Sequence, residues 1–181
     1  MNPTQKRSDV AVIIVTYNSE DEIETCLQSV LAEGKDLSQE VIVVDNQSQD
    51  GTVSLIEESF PQVTLIKPGK NLGFAAGVNL GVTMSNAGFV LLLNPDAIVR
   101  DHAIEVVVNF ARNNPQYGLY GGRSVDLKGE MDPSSCWGAP SLWSLFLFAT
   151  GLTTLAPRSG FFDPESLGSW QRDSVREVGI I

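Results

Sequence analysis

The chain has 181 residues, with 22 acidic against 12 basic side chains and a formal net charge of −10. That length holds one domain, or one domain and part of a second, with ample apolar material for a core. The acidic balance argues against a general nucleic-acid surface, which needs Lys and Arg to displace counterions, but leaves room for a nucleotide whose charge a divalent cation offsets. The two cysteines, Cys26 and Cys136, form no CxxC-type metal pattern. Cys26 falls inside a helical stretch and reads as core, which fits a reducing compartment. The polar residues 1–9 hold no signal-peptide apolar region, and no stretch reaches the roughly 20 apolar residues that span a bilayer.

Residues 10–15 are a continuous apolar run rich in β-branched side chains. A run without polar alternation predicts a strand buried on both faces, as in a parallel sheet covered by helices. Asn18, Ser19, Glu20 and Asp21 supply capping chemistry and acids for a helix start. Ile23, Leu27, Val30 and Leu31 then recur at helical spacing before Gly34. Residues 41–44 predict a second strand, 48–51 a turn, and 52–59 a helix closed by Pro61. Residues 63–66 predict a third strand before the turn at Pro68 and Gly69, and residues 73–85 a helix despite their glycines. Residues 89–93 predict a fourth strand, and 103–112 a helix with Ile104, Val107, Val108 and Ala111 on one face. Residues 117–125 read as a fifth strand region. Strands alternating with helices imply βαβ units with right-handed crossovers, and hence a doubly wound α/β sheet.

After residues 126–130 this rhythm stops. Trp137, Trp143 and Trp170 all lie beyond that point, as does the apolar stretch 142–155, which is too short and too rich in Ser, Thr and Gly to span a membrane. Such a tail suits stacking on sugar faces, resting at a membrane surface, or serving as core for a further segment. The last four residues are apolar and β-like, which predicts a chain that stops partway through a strand.

Three apolar runs end in polar clusters: Thr16-Tyr17-Asn18, Asp45-Asn46 and Asn94-Pro95-Asp96. In a parallel sheet these ends converge on one rim, where open α/β sheets bind their ligands. Two carboxylates with little positive charge nearby suit a metal ion carrying a phosphorylated ligand. Asp45, emerging from a buried strand, is placed to accept hydrogen bonds from a base or ribose. Asp50 reads as a cap and turn former for the next helix. Asp96 sits on a turn stiffened by Pro95 and is the candidate ligand for Mg²⁺ or Mn²⁺, which often take one or two carboxylates plus phosphates and water. The alternative for Asp96 is a cap for the segment starting near Asp101. Gly73, Gly77 and Gly81 recur every four residues. An interior glycine costs up to about 1 kcal/mol relative to alanine. Close approach of another backbone, or of a ligand at the helix N-terminus, would offset that cost. Residues 69–71 lack the pattern of a phosphate-cradling P-loop. His102, beside Asp101 at a helix start, reads as structural or exposed.

At these residues the sequence resembles the inverting nucleotide-sugar glycosyltransferases of family 2, which have the GT-A fold. The matching pieces are Thr16-Tyr17-Asn18, then Asp45-Asn46 with Ser48 and Asp50-Gly51-Thr52, then Asn71 with Gly73-Phe74-Ala75, Gly77 and Asn79, then Asn94-Pro95-Asp96. They cover roughly residues 10–125 and are most similar to the rhamnosyltransferase-like branch, where Asn-Pro-Asp replaces the commoner Asp-x-Asp. The resemblance implies an α/β, GT-A-like (Rossmann-like), mostly parallel sheet with helices on both faces. It implies a nucleoside pocket lined by Thr16, Asn18, Glu20 and Asp45, with Asn71 and Gly73 along the nucleotide and donor sugar. Asp96 would hold the Mg²⁺ or Mn²⁺ that bridges the diphosphate.

The implied sugar donor is dTDP-rhamnose or a UDP-sugar, and the implied acceptor a glycan or lipid-linked acceptor of cell wall or polysaccharide biosynthesis. No nucleic-acid partner is expected. A cytoplasmic protein with peripheral contact to the inner membrane face would fit that chemistry. Residues 1–130 are then the nucleotide-sugar-binding core and 131–181 the truncated start of an acceptor-binding region. The family's general base is a carboxylate in an acidic motif that follows a segment like 178–181. Asp163, Glu165, Asp173 and Glu177 stand outside such a motif, so no catalytic base is assigned. A chain without one is expected to bind the sugar donor and transfer poorly, since losing a base costs about 10²–10⁴-fold in rate. Two other readings compete. A phosphoacceptor signalling domain would need an acidic pair after the first strand and a lysine ending the last, and the sequence has neither. A non-catalytic nucleotide-sugar-binding module of the same fold has no sequence feature against it.

Overall fold

The computed structural model describes residues 7–33, 37–126, 128–132, 136–167, 170 and 172–179. Contacts divide the chain into two units that meet between Asn113 and Asn114. The first unit is built on a four-stranded sheet. Its elements are β1 (Val10–Thr16), α1 (Glu20–Ala32), β2 (Gln39–Asp45), α2 (Thr52–Ser59), β3 (Thr64–Ile66), α3 (Phe74–Thr83), β4 (Phe89–Leu93) and α4 (Ala103–Asn113). The strand order is β3-β2-β1-β4 and every pairing is parallel.

β1 is buried at all seven positions, as its unbroken apolar run requires for the inner strand of a sheet covered on both faces. The first two crossovers carry the chain from β1 to β2 and from β2 to β3. The third returns across β1 to β4. Right-handed crossovers running in opposite directions place their helices on opposite faces of the sheet. The packing agrees. Ile23, Cys26, Leu27 and Val30 of α1, Ile56 of α2, and Ile104 and Val108 of α4 pack with Val10, Val12, Ile14, Val41 and Val43 on one face. On the other face α3 lies over β1 and β2 at Gly77 and Gly81. Reversal of strand order between β1 and β4 creates a switch point, and in open α/β sheets ligands bind outside the carboxyl ends of the strands there.

Within this unit Arg112 of α4 forms an ion pair with Asp9, just before β1. β4 alternates, with Phe89, Leu91 and Leu93 packed against the core and Val90 and Leu92 exposed.

The second unit contains α5 (Leu142–Ala149) and two short 3₁₀ turns, Leu152–Thr154 and Pro164–Ser166. α5 starts at a reciprocal cap. Ser144 N donates to Ser141 Oγ at 3.0 Å, and Ser141 N donates to Ser144 Oγ at 2.8 Å. The Trp143 indole N–H donates to Phe161 O at 3.0 Å, and its ring lies between Phe146 and Phe161 with centroids 5.6 and 5.2 Å away. Leu142, Leu145 and Phe148 of α5 are exposed. Among the described residues no helix is long and apolar enough to cross a membrane.

The fifth strand expected at 117–125 does not form. Val125 makes one isolated antiparallel bridge with Met131. That bridge closes a turn in which Asp126 Oδ1 accepts from Lys128 N and Glu130 N, both at 2.8 Å. Gly118, Gly121 and Gly122 interrupt the apolar pattern, and interior glycine weakens a strand through backbone entropy and absent side-chain packing.

Candidate functional site

The carboxyl ends of β1 and β2 are in register, with Thr16 opposite Asp45. β4 pairs on the other side of β1, with Leu93 opposite Ile14, so residues 94–96 continue along the same rim. Thr16, Asn18, Glu20, Asp45, Asn71, Gly73 and Asp96 therefore all lie on one edge of the sheet, in the loops after β1, β2 and β4 and before α3. The register has a direct consequence. Thr16 Oγ1 donates to Asp45 Oδ1 at 3.2 Å, and Ser48 donates both its hydroxyl, to Oδ1, and its backbone N–H, to Oδ2 at 3.0 Å. Asp45 is 3% exposed and spends most of its lone pairs on these donors.

The loops after β1 and β2 are laced together side by side. Asn18 holds a left-handed backbone at φ 52°. Its N–H donates to Ser48 Oγ at 2.9 Å, and its Oδ1 accepts from Gln49 N at 2.7 Å. Glu20 N donates to Asp50 Oδ2 at 3.1 Å, while Gly51 N donates to Glu20 Oε2 at 2.8 Å. Ser19 N donates to Thr52 Oγ1 at 2.9 Å.

Asp50 takes the capping role expected of it. Thr52 donates its N–H at 3.1 Å and its hydroxyl at 2.6 Å to Asp50 Oδ1. Desolvation alone would raise the Asp50 carboxyl. The hydrogen bonds from Thr52 and Glu20 outweigh it and hold the group below the usual carboxylate range.

Asn46 was read from the sequence only as part of a motif, and the structure gives it a larger place. Its side chain is 4% exposed. Oδ1 accepts from Leu72 N at 3.2 Å and Nδ2 donates to Gly73 O at 3.3 Å, while its backbone N–H donates to Thr16 O at 2.8 Å. Asn71 Oδ1 accepts from Gly73 N at 2.8 Å, which closes the turn into α3. Gly73 has φ 77° and ψ 170°, a region that belongs to glycine.

Gly77 and Gly81 answer the question raised by their spacing. A Cβ at Gly81 would stand 2.7 Å from Ile13 Cγ2, and one at Gly77 would stand 3.0 Å from Val15 Cγ1. These glycines let α3 sit close on the side chains of β1 and β2. The close neighbour is sheet side chains rather than another backbone.

Asp96 differs from Asp45 in every respect. It follows Pro95 in a turn closed by Ala97 N donating to Asn94 O at 3.2 Å. It is exposed, and among the described residues its carboxylate accepts no hydrogen bond and makes no ion pair. It does not cap α4. Its charge and the burial of Cys26 together push the Cys26 thiol up to about 12, burial being the larger cause, so Cys26 is a core thiol rather than a nucleophile. Among the described residues no three His, Cys, Asp or Glu side chains gather to hold a metal by themselves. A lone open carboxylate fits a hard cation that draws its other ligands from phosphate and water. His102 is exposed at the start of α4, with its N–H donating to Glu33 Oε1 at 3.1 Å and a backbone φ of 57°. Tyr17 and Phe74 present bare rings on this rim, each more than half exposed.

A parallel sheet with a switch point beside its central strand, and a polar rim built from the loops after β1, β2 and β4, is an α/β architecture of the GT-A type. The model of the family described as "Glycosyl transferase family 2" matches residues 11–165. The chain belongs to that family. It is 32% identical over 136 residues to the N-acetylglucosaminyl-diphospho-decaprenol L-rhamnosyltransferase of Mycobacterium tuberculosis strain H37Rv, covering 68% of this chain and 44% of that protein. It is 29% identical over 130 residues to the poly(ribitol-phosphate) beta-N-acetylglucosaminyltransferase TarP of Staphylococcus aureus, covering 70% of this chain and 40% of that protein. The chain thus spans less than half the length of these relatives. Among solved structures, S. aureus TarS 1-349 in complex with UDP-GlcNAc superposes with a TM-score of 0.53 at 26% identity, covering 59% of this chain and 32% of that one.

Proposed function

We propose that this chain is the donor-binding part of an inverting glycosyltransferase that moves a sugar from a nucleoside diphosphate to a glycan or lipid-linked acceptor. The observation that carries the reading is the rim itself. Thr16, Asn18, Asp45, Asn71 and Gly73 share one edge, and the open Asp96 carboxylate stands across β1 from Asp45. Thr16, Asn18, Glu20 and Asp45 border the nucleoside, Asn71 and Gly73 run along the nucleotide and sugar, and Asp96 holds Mg²⁺ or Mn²⁺. When bound, the cation supplies charge neutralisation for the departing diphosphate, which this acidic rim cannot supply from basic side chains.

The hydrogen bonds to Asp45 support a specific part for it in that site. With Thr16 and Ser48 on its oxygens, it fixes the pocket floor beneath the nucleoside. Rhamnose carried by dTDP is the preferred sugar donor, supported by the similarity to a rhamnosyltransferase of lipid-linked N-acetylglucosamine. The same similarity supports action at the inner face of a membrane, where the apolar exposed face of α5 would lie against lipid. No carboxylate of this chain is assigned as the general base.

A thermal-shift panel of dTDP-, UDP- and GDP-sugars, each with and without Mn²⁺, tests the reading. One nucleotide class is expected to raise Tm only when metal is present, and Asp96→Ala is expected to abolish that shift while leaving the unliganded Tm unchanged. Equal stabilisation of the variant would remove Asp96 from the site. No response to any nucleotide would remove the donor-binding function.

A further inference from the structure

We propose that Asn46 is a positioning residue for the sugar donor: its buried amide holds the 71–73 loop in the one arrangement that lets Asn71 and Gly73 face the nucleotide. The inference rests on the donor-binding reading above. Asn46 joins three parts of the rim. Its backbone N–H reaches Thr16 O at 2.8 Å, its Oδ1 takes the Leu72 N–H at 3.2 Å, and its Nδ2 gives a hydrogen bond to Gly73 O at 3.3 Å. An acceptor and a donor on one planar amide thus match an N–H and a C=O of the loop backbone, as a neighbouring strand would.

No other side chain of that size does both. A carboxylate would keep the Leu72 contact and set an oxygen against the Gly73 carbonyl. An alanine would take the acceptor from the Leu72 N–H and one of two donors from the Gly73 carbonyl.

Two further details point the same way. Gly73 O also accepts from Gly77 N at 3.0 Å, the first turn of α3, so the amide grips the carbonyl from which the helix starts. The Asn46 Nδ2 lies 3.6 Å from where a Cβ on Gly77 would stand, ordinary van der Waals distance, so the amide sits against the first turn of α3. The loop that this amide holds is exposed at Asn71 and Gly73, so these part-buried bonds organise a surface rather than fill a core.

The test uses the full 181-residue chain and isothermal titration with UDP, dTDP and GDP in saturating Mn²⁺, well below the melting temperature of every variant. Asn46→Asp, nearly isosteric, and Asn46→Ala are each expected to weaken binding of the preferred nucleotide about tenfold, the worth of one or two net hydrogen bonds. Gly81→Ala is the control, since it disturbs α3 packing far from the loop. It is expected to lower Tm and keep the wild-type affinity. Wild-type affinity in Asn46→Asp, or an equal loss in Gly81→Ala, would overturn the positioning role while leaving the donor-binding reading in place. Absence of nucleotide binding by the wild type would overturn both. A measurement on the unmutated chain decides the matter if the Asn46 variants fail to fold. Nucleotide is expected to slow hydrogen exchange at the Leu72 amide, and unchanged exchange there with nucleotide bound would end the proposal.

Discussion

Asp45 ends β2 and Asp96 lies in the turn after β4, the two strands that flank β1, yet they sit in opposite circumstances. Thr16 and Ser48 occupy the oxygens of Asp45, which is nearly inaccessible. Asp96 is exposed with both oxygens open among the described residues. One is the fixed floor of the rim and the other its free charge. Asp50 belongs to a third kind, a carboxylate that staples two loops. Hydrogen bonds hold its pKa below the ordinary Asp value of about 3.9. A depressed folded-state pKa contributes stability that is present above the unfolded pKa and is lost as pH falls through the lower folded value. Asp50→Asn is therefore expected to lower the stability of the neutral protein, with the difference from wild type shrinking as pH drops below the carboxylate range. Urea midpoints measured from pH 7 to pH 2.5 would show it. A pH-independent gap between the two proteins would contradict the assignment.

At the scale of elements, α3 is the place where sequence reasoning found the signal but could not choose its cause. Three glycines four residues apart had to answer to something close by, and the answers differ along the helix. Gly73 has open space where a Cβ would go, and its constraint is the backbone at φ 77° and ψ 170°. Gly77 and Gly81 have ordinary helical backbone and no room. Gly81→Ala is accordingly expected to destabilise by about 1–2 kcal/mol, overpacking against Ile13 outweighing the gain in helix propensity. Gly73→Ala should cost about 1–3 kcal/mol through strain alone. Urea unfolding of the two variants measures both. A stabilised Gly81→Ala protein would mean that α3 can lift off the sheet freely. The strands and helices of the first unit were legible for a simple reason. Runs such as residues 10–15 and 89–93 alternate with helical periodicity and turn residues, and each is stable only in one secondary structure. The expected strand at 117–125 failed because its glycines remove the side chains that would pack it.

At the scale of the whole molecule, the apolar clusters of the sheet, among the described residues, draw on residues 10–108. A chain of residues 1–113 is therefore expected to fold alone, with a cooperative urea transition and the nucleotide affinity of the full chain. A broad, non-cooperative transition would show that the second unit is needed for the first. The strand order β3-β2-β1-β4 puts the switch point beside Thr16. Through it, residues separated by some 80 positions, Thr16 and Asp96, come to share one rim.

The amino-acid order determined the local pieces by itself: which runs are strands, where each turns, and which polar residues stand at the turns. These depend on periodicity and on residues within a few positions, and nothing distant can alter them much. Only the tertiary structure decided which of those polar residues are engaged and which are open. That outcome depends on strand register and on the direction of each crossover. Parallel pairing sets Thr16 against Asp45 and closes that carboxylate in, the returning crossover leaves Asp96 exposed in the turn after β4, and the descent of α3 onto the sheet brings Leu72 and Gly73 to Asn46. Contacts between residues tens of positions apart have no periodic signature, so folding alone reveals them.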